Sequence, residues 1–320
     1  MEKELVTLLL PFYNAEKYIG NALNSIKGQT YKKIEVILID DGSTDKSYEI
    51  CRKYITDGNF NKFERVKLLR KENGGAASAI NMALKYVSGE FLSWMDSDDE
   101  LLPNNILKKV KFLMKNTDYD LVCVGAVEYN YENNEKIKNL IIKKEEQDIN
   151  IFERLINGVP CYPGVFMIRT NKLFGKLKNR NIAYNKEVGQ NWQLLLPVAY
   201  SGKCGYINEI LYKYYIRSDS HSHNVDYKKE IYRTLCQEKI LKETLEFVEE
   251  KKRKKILNRI SRKMQKERFN LAFANLDREE CNKYFYFSLK NVIKIIIINS
   301  NFFTKKYKKL KEKKLWKFYL

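Results

Sequence analysis

The chain predicts an α/β protein with a mixed, mainly parallel sheet flanked by helices and a helical appendage at its C-terminal end. Two of the observations behind this are apolar runs that stop at carboxylates. Phe91-Leu92-Ser93-Trp94-Met95 ends in Asp96-Ser97-Asp98-Asp99, and Lys33 to Ile39 ends in Asp40-Asp41-Gly42-Ser43-Thr44-Asp45. Near-continuous apolar strands are those buried on both faces, as in parallel sheets covered by helices, and such sheets bind ligands at the carboxyl ends of their strands. The third observation is that more than a hundred residues follow Pro197 and Gly205, the last proline and the last glycine.

The elements follow in order. Leu5 to Leu10 is a first strand. Gly42 permits a tight turn, and Ser43 or Thr44 is placed to cap a helix through Tyr54 with Asp45 in its first turn. Pro103 suits the first turn of a further helix, with Asp99 placed to cap it. Trp192, Leu194, Leu195 and Leu196 read as the apolar face of a helix ending near Pro197. Beyond that, Ile231, Leu235, Leu241, Leu245 and Val248, then Ile256, Leu257, Ile260 and Met264, recur at helical spacing. The expected organisation is one domain over 1–225, in two halves at about 1–100 and 101–225. A helical, basic region over 226–320 follows.

Composition narrows the class. The formal charge of +19 suits nucleic acid or an anionic surface, but the excess lies in the C-terminal third rather than along the sheet. A basic nucleic-acid-binding protein is therefore the weaker alternative, and no nucleic-acid partner is expected. Cys51, Cys123, Cys161, Cys204, Cys236 and Cys281 are scattered without C-x-x-C pairing. With no signal peptide at Met1-Glu2-Lys3-Glu4, they read as reduced thiols in a cytoplasmic protein.

The carboxylates suggest chemistry. Asp96 and Asp98 are separated by one residue, so at a bend both can turn toward one hard cation. Mg²⁺ and Mn²⁺ take carboxylate oxygens and usually share their shell with a substrate's phosphates. Asp40 and Asp41 sit side by side at the other strand end, which is costly unless something binds them. Both histidines, His221 and His223, fall in Ser218-Asp219-Ser220-His221-Ser222-His223. On an extended chain they point to one side, where either one, with Asp219, can ligate or gate a metal.

Taken in order, these pieces resemble a known family. Pro11-Phe12-Tyr13-Asn14-Ala15-Glu16 follows the first strand. Then come Gln29-Thr30-Tyr31, the Asp40–Asp45 turn, Asn73-Gly74-Gly75 with Asn81, Ser88-Gly89-Glu90-Phe91, and Asp96-Ser97-Asp98-Asp99. From about residue 4 to 220 the chain resembles the family 2 glycosyltransferases, nucleotide-sugar-dependent enzymes of the GT-A fold, typically inverting. The resemblance implies a donor site that includes Pro11, Tyr13, Asn14, Glu16, Asp41, Asn73, Gly74, Asn81, Asp96 and Ser97. Tyr13 would stack on the base and Asp41 would accept its N–H, which suits uracil. Asn73-Gly74-Gly75 would bring backbone close to the donor. Asp96 would reach the ribose or the metal, and Asp98 would be the firmest ligand for Mg²⁺ or Mn²⁺. Many members carry Arg before the asparagine equivalent to Asn81; here the residue is Ile80.

The resemblance also shows a departure. Members usually place Glu-Asp before an aromatic residue, and that Asp deprotonates the acceptor. Here Gln190-Asn191-Trp192 occupy those positions on the acceptor side, and neither amide accepts a proton at neutral pH. Glu187 is the nearest upstream carboxylate and the candidate base. A catalytically inactive donor-binding scaffold is the alternative with the same fold. The stretch Val159 to Val188 is expected to face the acceptor.

The chain end points to a membrane surface. Ile293, Ile295 to Ile298, Phe302 and Phe303 precede eight lysines between Lys305 and Lys317, interleaved with Trp316, Phe318 and Tyr319. The apolar run is shorter than the roughly 20 residues of a span. Lysines mixed with aromatics suit an anionic bilayer surface. The expected setting is a peripheral protein on the inner face of the cell membrane that extends a glycan or lipid-linked glycan. By resemblance, this belongs to capsule, lipopolysaccharide or other surface-polysaccharide synthesis.

Overall fold

The strand β1 (Glu2–Phe12) is buried from Leu5 to Phe12 and is paired on both sides. Its neighbours β2 (Ile34–Asp40) and β4 (Gly89–Trp94) both run parallel to it, and β3 (Arg65–Arg70) adds a fourth parallel strand beyond β2. The remaining strands are β5 (Glu100–Leu101), β6 (Leu121–Asn130), β7 (Lys136–Leu140), β8 (Phe166–Arg169) and β9 (Cys204–Ile216). The computed structural model describes residues 1–142, 147, 150–157, 161–217, 226–286, 288–300 and 304. The sheet order is β3-β2-β1-β4-β8-β6-β9-β5, with β7 beside β6. β8 runs antiparallel to β4 and β6, while β6 and β9 are parallel. The predicted α/β class and mixed sheet are present, and the order reverses between β1 and β4, where such sheets open a crevice.

The chain forms two compact units, Met1–His223 with Ile240–Val248, and Asn224–Lys239 with Glu249–Leu320. In the first, the sheet is flanked by α1 (Ile19–Lys27), α2 (Ser47–Thr56), α3 (Ala76–Leu84) and α4 (Asn105–Lys115). Three shorter helices follow, α5 (Ile151–Ile156), α6 (Thr170–Phe174) and α7 (Asn191–Ala199). α7 ends at Ala199, near Pro197 as expected, with the proline inside its last turn. Proline only removes the bond that would reach the Gln193 carbonyl. Ile80, in place of the arginine common in the family, is fully buried in α3.

The second unit is helical, as predicted. It holds the first part of α8 (Tyr227–Thr244), then α9 (Glu250–Ala274), α10 (Arg278–Lys283) and α11 (Leu289–Asn299). Its core gathers Ile231, Phe269, Phe273, Cys281, Tyr284 and Ile298. Leu235, counted above on the apolar face, is 40% exposed. None of the six cysteines is in a disulfide. Among the described residues no helix is long and apolar enough to cross a membrane.

One buried cation supports the sheet from below. Lys109 of α4 is fully buried, and its ammonium donates to Gly164 O (3.0 Å), Ser93 Oγ (3.3 Å) and Phe166 O (3.3 Å), all neutral acceptors. Burial pulls its pKa down to about 7. The folded value lies below the unfolded ~10.4, so between about 7 and 10.4 the unfolded chain binds a proton that the native chain lacks. This group's contribution therefore rises with pH across that window and is least favourable below 7. We expect the difference in urea stability between wild type and Lys109→Met to change steadily from pH 7 to pH 10. A difference independent of pH refutes the assignment.

Candidate active site

The parallel pairing settles where the carboxylates meet. Phe12 pairs with Asp40, and Leu9 with both Ile37 and Trp94, so the carboxyl ends of β2, β1 and β4 share one edge. That edge carries the Asp40–Asp45 turn, Tyr13 and the Asp96–Asp99 turn. Asp96, Asp98 and Asp99 place one carboxylate oxygen each within 4.8 Å of one another.

The three aspartates differ. Asp99 is fully buried, and its carboxylate accepts from Tyr212 Oη (2.5 Å) and the Tyr215 amide (3.0 Å). It does not cap the next helix as expected, because β5 intervenes and Asn104 takes the N-cap position of α4. Asp96 and Asp98 are partly buried and turn to the same space. Burial and the neighbouring Asp98 push Asp96 up to about 7, against the opposing effects of a Gln190 hydrogen bond (3.3 Å) and of Arg217. Arg217 Nη2 lies 2.8 Å from Asp98 Oδ2, and its guanidinium covers the Tyr18 ring at 4.2 Å. The sequence reading missed Arg217, whose only signal was its place just ahead of the Ser218–His223 segment.

Two carboxylates turned to one space, not committed to partners as Asp99 is, are a fitting donor set for a hard dication with open positions for phosphate oxygens. Asp96 and Asp98 fit that description. Asp99 does not, since its oxygens already have partners within the protein. His221, His223 and Asp219 lie outside the described residues.

The Asp40–Asp41 pair is explained without any ligand. Arg70 Nε lies 3.0 Å from Asp40 Oδ2, and Lys71 Nζ lies 3.0 Å from Asp41 Oδ1. Contrary to the expectation that something must bind this pair, the protein neutralises it from within: the end of β3 and the residue after it supply both cations. Asp41 also accepts from the amides of Gly74 (3.1 Å) and Gly75 (2.7 Å) and from Asn73 Nδ2 (3.2 Å). A carboxylate has about four lone-pair sites, so in this arrangement Asp41 is fully engaged in holding the 71–75 loop. Gly42 (φ +80°) and Gly75 (φ +88°) let the pieces approach. A Cβ on Gly42 would lie 2.8 Å from Asn73 N, and one on Gly75 3.0 Å from Lys186 Cα.

Removing the Asp41 carboxylate should release this loop. Asp41→Ala is expected to cost about 3 kcal/mol in urea denaturation, the lower range for breaking a buried charge pair. An unchanged midpoint would show that the loop is held by other contacts.

Several predicted donor-site residues have structural work in the protein itself. Pro11 is buried within β1 opposite Ile39. The Asn14 side chain accepts from the Thr44 amide (2.8 Å), and Glu16 Oε2 from the Lys46 amide (3.1 Å). In return, Ser43 Oγ accepts from Asn14 N and Asp45 Oδ2 from Glu16 N. This reciprocal clamp replaces the expected Ser43 or Thr44 cap, and α2 starts only at Ser47. Asn81 bonds both to the carbonyl and to the amide of Ile182 (2.9 and 2.8 Å). Asn191 accepts from Trp94 Nε1 (2.8 Å) and donates to Cys161 O (3.0 Å). Tyr13 remains 42% exposed beside the carboxylates, and Ser97 and Trp192 are partly exposed. Glu187 is partly buried, and its own amide donates to Asn185 Oδ1 (2.9 Å). Its neighbour Lys186 packs on Gly75, so Glu187 follows directly on the residue that closes over the 73–75 loop.

Comparison with known proteins bears on the fold and the family. Residues 7–214 match the family model described as glycosyl transferase family 2. The glycosyltransferase GlyG of Streptococcus pneumoniae serotype 4 is 32% identical over 228 residues, covering 68% of this chain and 72% of that protein. An uncharacterized glycosyltransferase of Rickettsia typhi is also 32% identical, but over 47% of this chain and 46% of its own length. Among solved structures, Staphylococcus aureus TarS 1-349 in complex with UDP-GlcNAc superposes with a TM-score of 0.65 at 22% identity, covering 88% of this chain and 78% of that one. The Pyrobaculum calidifontis mannosyltransferase PcManGT, in complex with GDP-Man and Mn2+, gives 0.55 at 16% identity, covering 90% and 77%. At these identities the structures speak for the fold.

Proposed function

The chain belongs to glycosyl transferase family 2 and has the GT-A fold, and from that premise we propose that it moves a sugar from a UDP-linked donor to a glycan or lipid-linked glycan, with inversion. The observation that carries the reading is the Asp96–Asp98 pair at the carboxyl end of β4, with Tyr13 exposed on the same sheet edge. Tyr13 offers a flat face to the base. Asp41 holds the Asn73–Gly75 loop against the donor instead of reading the base itself. Asp96 and Asp98 would hold Mg²⁺ or Mn²⁺, which when bound neutralises charge on the departing diphosphate. Arg217 stands ready for the same phosphates once Asp98 is engaged. Glu187 is the group to take the acceptor proton, and Gln190 and Trp192 line the acceptor side, where Asn191 anchors Trp94.

A thermal-shift series of UDP-sugars with and without MnCl₂ tests this. A true donor at about 100 times its Kd should add ~2.7 kcal/mol of stability, and only with metal present. Stabilisation by no nucleotide sugar, or equally without metal, overturns it.

We also place the enzyme at the cytoplasmic face of an anionic membrane, in surface-polysaccharide assembly. Ile293 and Ile296 of α11 are about half exposed, at 48% and 54%, just ahead of the lysine-rich end. Deleting Thr304 to Leu320 removes eight lysines and one glutamate, a net +7. The truncated protein should stay folded and lose cosedimentation with phosphatidylserine-containing vesicles, and salt should release the full chain, since exposed charges are screened over about 8 Å at physiological ionic strength. Retained sedimentation of the truncated form would end the membrane reading.

A further inference from the structure

The Asp96–Asp98 pair is shared with a cation of the protein itself. Arg217 Nη2 lies 2.8 Å from Asp98 Oδ2, and its charge acts on Asp96 as well. A dication taken up by these carboxylates therefore meets a positive charge already beside them. Like charges repel more strongly where water is partly excluded, and the Arg217 side chain is only 15% exposed. A guanidinium cannot relieve the repulsion by giving up a proton.

Arg217 is also braced. Its guanidinium covers the Tyr18 ring at 4.2 Å, a stacked contact that holds a planar cation in one orientation. Tyr18 meets Tyr131 edge-on at 4.8 Å, and Tyr131 meets Tyr215 at 5.7 Å. Backbone contacts fix this row of rings. Tyr131 N donates to Ile216 O (3.0 Å), Tyr131 Oη to Lys17 O (3.3 Å), and Tyr215 N to the Asp99 carboxylate (3.0 Å). All of these residues belong to the first unit. Tyr18 is buried and ends the turn that begins at the exposed Tyr13, just before α1. The ring that carries Arg217 thus belongs to the same turn as the ring offered to the base.

A diphosphate removes the conflict, because it carries enough negative charge to be shared by a metal and a guanidinium, and arginine pairs with phosphate through two parallel hydrogen bonds. We propose that Arg217, braced by Tyr18, makes metal binding conditional on the nucleotide: it weakens the hold of Asp96 and Asp98 on Mg²⁺ or Mn²⁺ until a diphosphate arrives to engage both cations. The inference rests on the donor-site reading above and adds to it a coupling between metal and nucleotide. Tyr18 is a positioning residue that acts through Arg217. By linkage, the metal tightens the diphosphate by the same factor as the diphosphate tightens the metal. Uridine, which lacks the diphosphate, cannot produce the effect.

The test measures Mn²⁺ binding to the full chain by the loss of the free-ion EPR signal, with MnCl₂ alone, with uridine and with UDP. The readings are corrected for the complex that UDP forms with Mn²⁺ in buffer. In wild type, UDP should tighten Mn²⁺ by about 5–150-fold, the usual range of coupling between two sites, and uridine should not. Arg217→Gln should tighten Mn²⁺ in the absence of nucleotide, which loss of a merely structural residue would not do, and should shrink the effect of UDP. Arg217→Lys keeps the charge and should leave Mn²⁺ alone as weak as in wild type. Tyr18→Phe keeps the ring and should behave as wild type, whereas Tyr18→Leu should reduce the effect of UDP. Adding Asp98→Asn to Arg217→Gln should abolish the gain in Mn²⁺ affinity. Equal Mn²⁺ affinity with UDP and with uridine in wild type, or no tightening of Mn²⁺ alone in Arg217→Gln, overturns the proposal. Failure of wild type to bind UDP under any of these conditions would instead overturn the donor-site reading.

Discussion

Asp98→Asn is expected to abolish metal-dependent UDP binding and to lower sugar transfer by on the order of 10²–10³, the worth of one well-placed electrostatic group at a transition state. The reason is in the division of labour among the three aspartates. Asp99 is committed to Tyr212 and Tyr215, and Asp96 is shared with Gln190. Asp98, by contrast, is paired among the described residues with Arg217 at 2.8 Å. Its loss should leave the fold intact, since it also removes the like charge beside Asp96. Asp99→Ala should do the reverse, lowering the urea midpoint by leaving the buried Tyr212 hydroxyl without its acceptor. Calorimetry with MnCl₂ and UDP on both variants separates the two. Equal metal affinity in wild type and Asp98→Asn would remove Asp98 from the site.

The strand framework was legible because burial on two faces writes itself as apolar runs. Leu5–Leu10, Lys33–Ile39 and Phe91–Met95 each became a strand within two or three residues of the expected ends. What stayed hidden were the partners. Two adjacent carboxylates at Asp40 and Asp41 look the same in a sequence whether a ligand or the protein neutralises them. Here the cation for Asp41 arrives thirty positions later as Lys71. Asp99 reads like its neighbours Asp96 and Asp98, and only its pairing with tyrosines 113 and 116 positions away sets it apart. The motif residues Asn14, Glu16 and Asn81 were expected in the donor site, and each is used to tie one loop to another. A motif records that a residue matters; only the tertiary contacts distinguish touching the donor from holding the loop that does.

The same distinction decides the missing base. By the family resemblance Asn191 takes the position expected of the catalytic aspartate, so Asn191→Asp looks like a simple restoration. In this protein it should fail, because the Asn191 amide donates to Cys161 O while its carbonyl accepts from Trp94. A carboxylate there would face the Cys161 carbonyl oxygen-to-oxygen, at the cost of an unpaired buried acceptor. The helix start that displays Gln190 to Asp96 would be disturbed as well. Glu187 carries no such structural duty through its carboxylate in any contact described above, and the preceding residue packs on Gly75 of the donor loop. Glu187→Gln should therefore leave UDP affinity and the urea midpoint unchanged and lower turnover by on the order of 10²–10⁴, the usual worth of general-base catalysis. The loss should fall on kcat and on kcat/KM alike, as expected for an interaction made only in the transition state. Rates should recover with Glu187→Asp far better than with Glu187→Gln, since the shorter carboxylate still accepts a proton. Near-normal turnover in Glu187→Gln would eliminate this residue and pass the role to the acidic and imidazole groups of Asp219, His221 and His223.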